Sequence, residues 1–317
     1  MTSYPASAAV TPKADFTKDI NLSGLKGQSV FITGGVSGLG AGFAEELARN
    51  GCCVTCADVN QELGKRFRGE LEGKGWKINF VPADVTDYPS LLSAFKSARD
   101  FSPTKSIDIV IPCAGLMGQP LIAHLPDPTS SDDPPPPPTA VMDVNLKGVY
   151  YTTYLALHYF RTHPSATSTK QLVFLCSSLA YVEAPLVIDY VSSKSAVRGI
   201  WRSIRGEKAA LGIKGHFRCN LIAPNLVATP MTKDFTGFLQ ERGFAIAQVE
   251  DLVGSMMRVL GDESIDGRAI TVFKDGKCWD LCDDFEGQDG GREALKLVES
   301  GLLGPGPTKW GRYRMVD

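Results

Sequence analysis

The sequence predicts an α/β protein, a doubly wound parallel sheet of about seven strands with helices on both faces. Three observations carry this. Strand-like and helix-like segments alternate through the first three quarters of the chain. A glycine-rich turn, Thr33-Gly34-Gly35-Val36-Ser37-Gly38-Leu39-Gly40, joins the first strand to the first helix. An acidic residue, Asp58, closes the second strand. Strand, glycine turn, helix and acid-tipped strand together describe the Rossmann type of nucleotide-binding sheet.

Apolar runs at 29–33, 52–57, 77–81 and 107–112 predict the first four strands, and helical periodicity at 38–50, 61–73 and 88–101 predicts the helices between them. The pattern resumes with a long helix at 140–161, a strand at 171–177, a helix at 190–211 and strands at 215–222 and 269–273. Residues 1–23 read as an N-terminal extension, 24–275 as the folded domain and 276–317 as a C-terminal extension with a helical stretch at 292–300. Within the domain, 126–139 reads as a surface insertion, because five consecutive prolines, Pro134 to Pro138, suit neither helix interior nor central strand.

Composition narrows the function. With 317 residues and 43% hydrophobic content, the chain can bury one large core. A formal net charge of −2 and no long basic cluster argue against nucleic acid and anionic lipid as partners. The absence of a signal-like start or a long apolar run points to a soluble, cytoplasmic protein. Eight cysteines are too few for a disulfide scaffold in a chain this long, and several sit in strand-like runs, so they read as reduced, buried thiols. Cys278 and Cys282 have no second Cys or His pair nearby, and no metal is expected.

Each glycine of the turn has a physical task. Gly34 allows a tight bend, Gly38 lets the backbone approach a pyrophosphate, and Gly40 permits close packing of helix on strand. Ser37 and Leu39 complete the loop, and the helix N-terminus offers unpaired N–H groups to phosphate. Asp58, followed by Val59, stands 20 residues after Gly38, where a carboxylate accepts hydrogen bonds from the adenosine ribose. An acid there repels a 2′-phosphate, and the loop has no Lys or Arg to neutralise one, so NAD is expected over NADP. The competing reading of Asp58 is a solvated turn residue or helix cap, and Asp84 alone is equally a helix N-cap. Asp84 and Val85 close the third strand, and Cys113, Ala114 and Gly115 follow the fourth, small residues where a cofactor passes the sheet edge.

In Tyr190-Val191-Ser192-Ser193-Lys194, spacing of four puts a phenol and an ammonium on one helix face. A free phenol, titrating near about pH 10, is a poor base at neutral pH, and a fixed cation stabilises its anion. Upstream, Ser177-Ser178 ends an apolar strand at the carboxyl edge of the sheet. Asn145 is a polar residue inside an otherwise apolar helical stretch, where its amide needs a partner.

In this order and at these intervals the glycine loop, Asp58, Asn145, the serine pair, Tyr190 and Lys194 resemble the short-chain dehydrogenase/reductase family, over residues 24–273. The loop texture is nearest to the NAD-linked hydroxyprostaglandin-dehydrogenase-like branch. The resemblance implies that Ser178, taken over Ser177, orients the substrate oxygen and that Tyr190 transfers the proton. Lys194 would bind the nicotinamide ribose and tune Tyr190, and Asn145 would hold a relay water. It also places Val227 and Thr229 on the cofactor. Two departures stand out: Asn225 replaces a usual glycine, and Pro112-Cys113 replaces two usual asparagines, so amide bonds between neighbouring strands must be replaced here.

The apolar stretch 179–188 with Phe235, Phe238 and Phe244 would then line the substrate side, which suggests a hydrophobic secondary alcohol or ketone. The resemblance implies a homodimer or homotetramer paired through the helices at 140–161 and 190–211, with the apolar face of 149–160 suited to the contact. Two other functions fit the same fold: non-redox chemistry (isomerisation, dehydration or cyclisation) over a bound NAD, and a nucleotide sensor without catalysis.

Overall fold

The computed structural model describes residues 12–129, 133–164, 169–182 and 187–283. Its sheet has eight strands in the order β3-β2-β1-β4-β5-β6-β7-β8. The strands are β1 (Ser29–Thr33), β2 (Cys53–Asp58), β3 (Ile78–Pro82), β4 (Ile109–Pro112), β5 (Lys170–Leu175), β6 (Phe217–Pro224), β7 (Ala269–Val272) and β8 (Cys278–Asp280). The first seven are parallel, and β8 is antiparallel to β7. This last strand lies beyond position 275. The helix expected at 292–300 lies outside the described residues.

Strands β1, β4, β5 and β6 are buried along their whole length, the pattern of a parallel sheet covered on both faces. One core, with Phe43, Leu47, Leu252 and Met256, packs α1 (Gly38–Arg49) and α8 (Val249–Gly261) on one face. The other, with Phe95, Phe160, Trp201 and Phe174, packs α3 (Tyr88–Phe101), α5 (Val149–Thr162) and α6 (Ile188–Glu207) on the opposite face. Helix α2 (Gln61–Gly73) covers β3, its Gly64 admitting the Phe80 ring where a Cβ would lie 2.1 Å from Cζ. The order in which strands are added to the sheet reverses between β1 and β4, and open α/β sheets bind ligands at such a switch point.

The long helix expected at 140–161 is a composite. A short α4 (Ala140–Met142) runs into a π-helical turn, Asp143–Gly148, and then into α5. Single π turns inside helices mark functional sites, and this one carries Asn145. Helix α7 (Lys233–Glu241) and α8 complete the set. The N-terminal stretch also docks, with the Ala14 N–H donating to Asp280 Oδ2 at 2.9 Å and Arg258 donating to the Lys18 carbonyl at 2.8 Å.

Pro112 has the consequence its chemistry demands. The β4–β5 ladder stops at Val110 and Leu172, before the proline. The Thr33 hydroxyl takes over beyond it, accepting from the Cys113 N–H at 3.1 Å and the Ala114 N–H at 3.3 Å. Asn225, which stands in place of a usual glycine, does not adopt a positive φ; its N–H donates to Val272 O at 3.1 Å.

Candidate active site

The glycine turn folds as a cradle that side chains would fill. Gly34, at φ +64°, lies where a Cβ would sit 2.7 Å from Ala114 Cα, and a Cβ on Gly40 would sit 2.1 Å from Gly34 O. Gly38, at φ +50°, faces Thr229 and Pro230, 3.7 and 3.8 Å from its would-be Cβ. Ser37 precedes α1 without capping it through its side chain, so the first N–H groups of α1 stay available to a phosphate. The turn, the 113–115 segment and the 229–230 segment therefore meet at one edge, which fits a dinucleotide. Gly40→Ala is expected to cost about 1–3 kcal/mol, read as binding of the reduced nicotinamide cofactor weakened roughly 10- to 100-fold in a fluorescence titration; unchanged affinity would show that the close packing is dispensable.

Asp58 is half-buried, and its Oδ1 accepts the Asn60 N–H at 3.0 Å. Val59 beyond it is 68% exposed. Asp84 is likewise engaged, accepting from the Thr86 N–H and hydroxyl at 2.8 Å each. Val85 is buried beneath Gly148, 2.6 Å from where a Cβ would stand. Val227 is buried in the core, so it presents backbone rather than side chain to the edge. Cys113 lies at the same edge, and burial pushes its thiol up to about 12 despite the nearby Lys194. All eight cysteines are free, and no cluster of metal-ligating side chains occurs among the described residues.

Tyr190 opens the third position of α6, and Lys194 follows one turn later. The Lys194 ammonium lies 5.7 Å from the Tyr190 ring centroid and donates to the Leu175 carbonyl at 3.1 Å. It is buried, 7% exposed. Asn145 is fully buried and clamps the strand-β4 loop with both ends of its amide. Oδ1 accepts the Leu116 N–H at 2.7 Å, and Nδ2 donates to Leu116 O at 2.8 Å and to Ser193 Oγ at 3.2 Å. Ser193 in turn donates to Tyr190 O at 2.7 Å. A Cβ on Gly115 would lie 3.4 Å from Asn145 Oδ1 and 3.9 Å from Lys194 Nζ. Asn145, Gly115, Lys194 and Tyr190 thus lie close together.

Of the two serines, Ser177 is buried and its hydroxyl accepts the Leu179 N–H at 3.2 Å. Ser178 starts the next helical turn half-buried. Beside the N-terminus of α6 a cavity of about 250 Å³ is lined by Leu121, His124, Pro137, Pro138 and Ile188 among others. Sequence reasoning assigned this wall to 179–188 and three phenylalanines. Residues 183–186 lie outside the described residues, Phe235 and Phe238 stand on α7, and Phe244 is exposed. The lining by 119–124 and by the end of the proline-rich insertion carries no motif; only the fold brings it to α6.

A glycine cradle at the switch point, with a tyrosine and a buried lysine one turn apart beside it, defines a nucleotide-dependent oxidoreductase. Residues 28–238 match the short chain dehydrogenase family, and the chain belongs to it. It is 36% identical over 84% of its length to 5'-hydroxyaverantin dehydrogenase of Dothistroma septosporum (strain NZE10 / CBS 128990), covering 91% of that protein. It is 33% identical over 93% of its length to NADP-dependent dehydrogenase M3 of Phoma sp. (strain ATCC 20986 / MF5453), covering 90% of it. The fold matches 3-ketoacyl-(acyl-carrier-protein) reductase from Brucella melitensis, crystallised with NADH, at TM-score 0.65 and 23% identity over 78% of this chain and 97% of that one. The chain is accordingly an oxidoreductase of the alcohol and ketone type acting on small molecules. No helix among the described residues is long and apolar enough to cross a membrane.

The expectation of NAD is overturned by the relative named for NADP. It rests on the charge of Asp58 and on the lack of Lys or Arg in the glycine loop. One acid at a strand end and one loop do not describe the whole surroundings of a ribose.

Proposed function

We propose that this protein is an NADP-dependent dehydrogenase that interconverts a hydrophobic secondary alcohol and its ketone. The observation that carries the reading is the convergence of Tyr190, Lys194, Asn145 and Gly115 at the carboxyl edge of the sheet. The names of the relatives support an alcohol substrate and NADP, and the largely apolar cavity beside α6 supports a hydrophobic one. The N-terminus of α2, capped by Asn60 and next to exposed Val59, supplies a positive dipole end that suits an added phosphate.

In this reading Gly34, Gly38 and Gly40 with Ser37 and Leu39 hold the pyrophosphate, and Asp58, Val59, Asp84 and Val85 flank the adenosine. Cys113, Ala114, Gly115, Val227 and Thr229 pass the nicotinamide half. The cofactor supplies the hydride donor or acceptor when bound. Ser178 donates to the substrate oxygen. The Tyr190 hydroxyl gives that oxygen a proton during reduction and takes it back during oxidation. Lys194, fixed by the Leu175 carbonyl, stabilises the phenolate and binds ribose hydroxyls, and Asn145, held by Leu116, lines the route by which a proton returns from solvent.

Homo-oligomerisation is part of the proposal, with a revised surface. On α5, Val149, Leu155, Ala156, Tyr159 and Phe160 are buried inside the protomer, and the outward residues are Tyr150 and Tyr154, each 58% exposed. The direct test follows cofactor absorbance with a panel of hydrophobic ketones and alcohols, using NADP and NAD forms in parallel. Turnover with kcat/KM at least roughly tenfold higher for NADP, about 1.4 kcal/mol of discrimination, is expected. Equal use of both would remove the cofactor assignment, and tight NADPH binding without any turnover would remove the redox reading.

A further inference from the structure

The chain after β8 returns to α6 and to the segment that follows Ser178. The Arg268 guanidinium donates to both oxygens of Asp280, at 2.7 and 2.8 Å, in a buried pair, and the Leu281 N–H donates to Ala269 O at 2.8 Å. Cys282 then adopts φ +50°, a conformation a side chain resists, and the turn sends Asp283 inward. The Asp283 side chain is 1% exposed. Its Oδ2 accepts from the Tyr181 hydroxyl at 2.9 Å and from Arg198 Nε at 2.7 Å, and its Oδ1 from Arg198 Nη2 at 3.1 Å. Arg202 lies 3.7 Å away, and Arg205 donates to the Asp283 main-chain oxygen at 2.6 Å.

Those partners are placed to matter. Tyr181 and Ala180 belong to the segment that begins at Ser178. Arg198 follows Lys194 by one helical turn and Tyr190 by two on α6. Arg198 also donates to Ala180 O at 3.3 Å, and its guanidinium lies 4.0 Å from the Tyr181 ring centroid. One carboxylate therefore joins the serine segment to the helix of the tyrosine and the lysine. We propose that Asp283 is a positioning residue for the alcohol–ketone reaction, holding the segment of Ser178 against α6 through Tyr181 and Arg198, so that the last strand belongs to the frame of the active site. Burial alone would raise the Asp283 carboxyl, but the Arg198 hydrogen bonds and charge, the Tyr181 hydroxyl and Arg202 hold it below the usual carboxylate range. It stays ionised at working pH, as the clamp requires. The proposal rests on the reading of Ser178 given above.

The test uses the full-length chain, NADPH and 1-tetralone as probe ketone, with Asp283→Asn, Tyr181→Phe, Ser178→Ala and the Asp283→Asn/Ser178→Ala double variant. Asp283→Asn is expected to lower kcat roughly 10- to 100-fold through misplacement of the substrate oxygen, with NADPH affinity unchanged and faster amide exchange at 178–181. Tyr181→Phe, which keeps the ring and drops one hydrogen bond while Arg198 still holds the carboxylate, is expected to lower kcat in the same direction with a smaller loss of melting temperature than Asp283→Asn. In the Ser178→Ala background the Asp283→Asn loss should largely vanish, since both act through one group. Losses that simply multiply, or exchange at 178–181 equal to wild type, would overturn the proposal. If Ser178→Ala leaves kcat intact, the Ser178 reading fails on its own; the positioning role then survives only if Asp283→Asn still lowers kcat and speeds that exchange, and is overturned if it does neither. Should the probe ketone not react, the exchange result alone decides whether the anchor exists.

Discussion

Tyr190→Phe is expected to lower kcat roughly 10²- to 10⁴-fold, the range for losing a positioned acid/base, while NADPH binds as before. The substitution removes one oxygen and leaves the ring beside Lys194, 5.7 Å from its ammonium, so the pocket keeps its shape. Among the described residues no nearby phenol is placed to substitute. Tyr181 is the other tyrosine of this region, but burial and the Asp283 carboxylate push its hydroxyl far above the usual phenol range, and it donates to that carboxylate. A phenol whose proton already goes to a buried carboxylate is not free to give it to a substrate. Steady-state kinetics with a fluorescence titration of NADPH separates the outcomes. Activity within about threefold of wild type, a free-energy change of under about 1 kcal/mol, would mean that another group moves the proton.

Arg218→Leu is expected to cost about 3 kcal/mol or more of folding stability, because it strips the donor from several buried acceptors at once. Arg218 lies on β6 and is 1% exposed. Its Nη1 donates to Val259 O, Asp262 O and Ile265 O at 2.9, 2.7 and 3.0 Å, and its Nη2 to Leu260 O at 2.7 Å. These are the carbonyls that the end of α8 and the connection to β7 leave without helical partners. Leucine matches the aliphatic stem but offers no N–H. Because α8 packs on α1 at Gly42, where a Cβ would meet Val249 Cγ1 at 2.6 Å, loosening it also disturbs the helix behind the glycine cradle. Denaturant titration checks this. A change below about 1 kcal/mol would mean that water replaces the guanidinium.

Most of the sheet is legible because its strands are continuous apolar runs and its helices amphipathic. β1, α2 and α3 fall where the pattern predicts, and most other boundaries shift by one or two residues. Helix α8 carries a readable signal too, with Leu252, Met256, Val259 and Leu260 at helical spacing behind a Gln248–Asp251 capping box, and is nevertheless missing from the expected elements. β8 is three residues with no alternation to read; pairing with β7 alone makes it a strand. At the site, Asn145, Tyr190 and Lys194 announce themselves by type and spacing. The Asp283 clamp does not, since its partners stand 85 and 102 positions away, and no local pattern encodes such a contact. The cofactor expectation fails for a related reason: Asp58 and the glycine loop are only part of a pocket that several elements build.

The early end of the β4–β5 ladder has a use that its proline alone does not suggest. On β5 the Cys176 N–H points to β6, where it donates to Ile222 O at 2.8 Å, so the carbonyl just before it, that of Leu175, faces the β4 side. Had the two strands stayed zipped to their tips, an amide of β4 would occupy that oxygen. Parted at Val110 and Leu172, they leave it vacant, and the Lys194 ammonium takes it. The fork in the sheet is thus a socket: an unfinished seam supplies the acceptor that seats a cation.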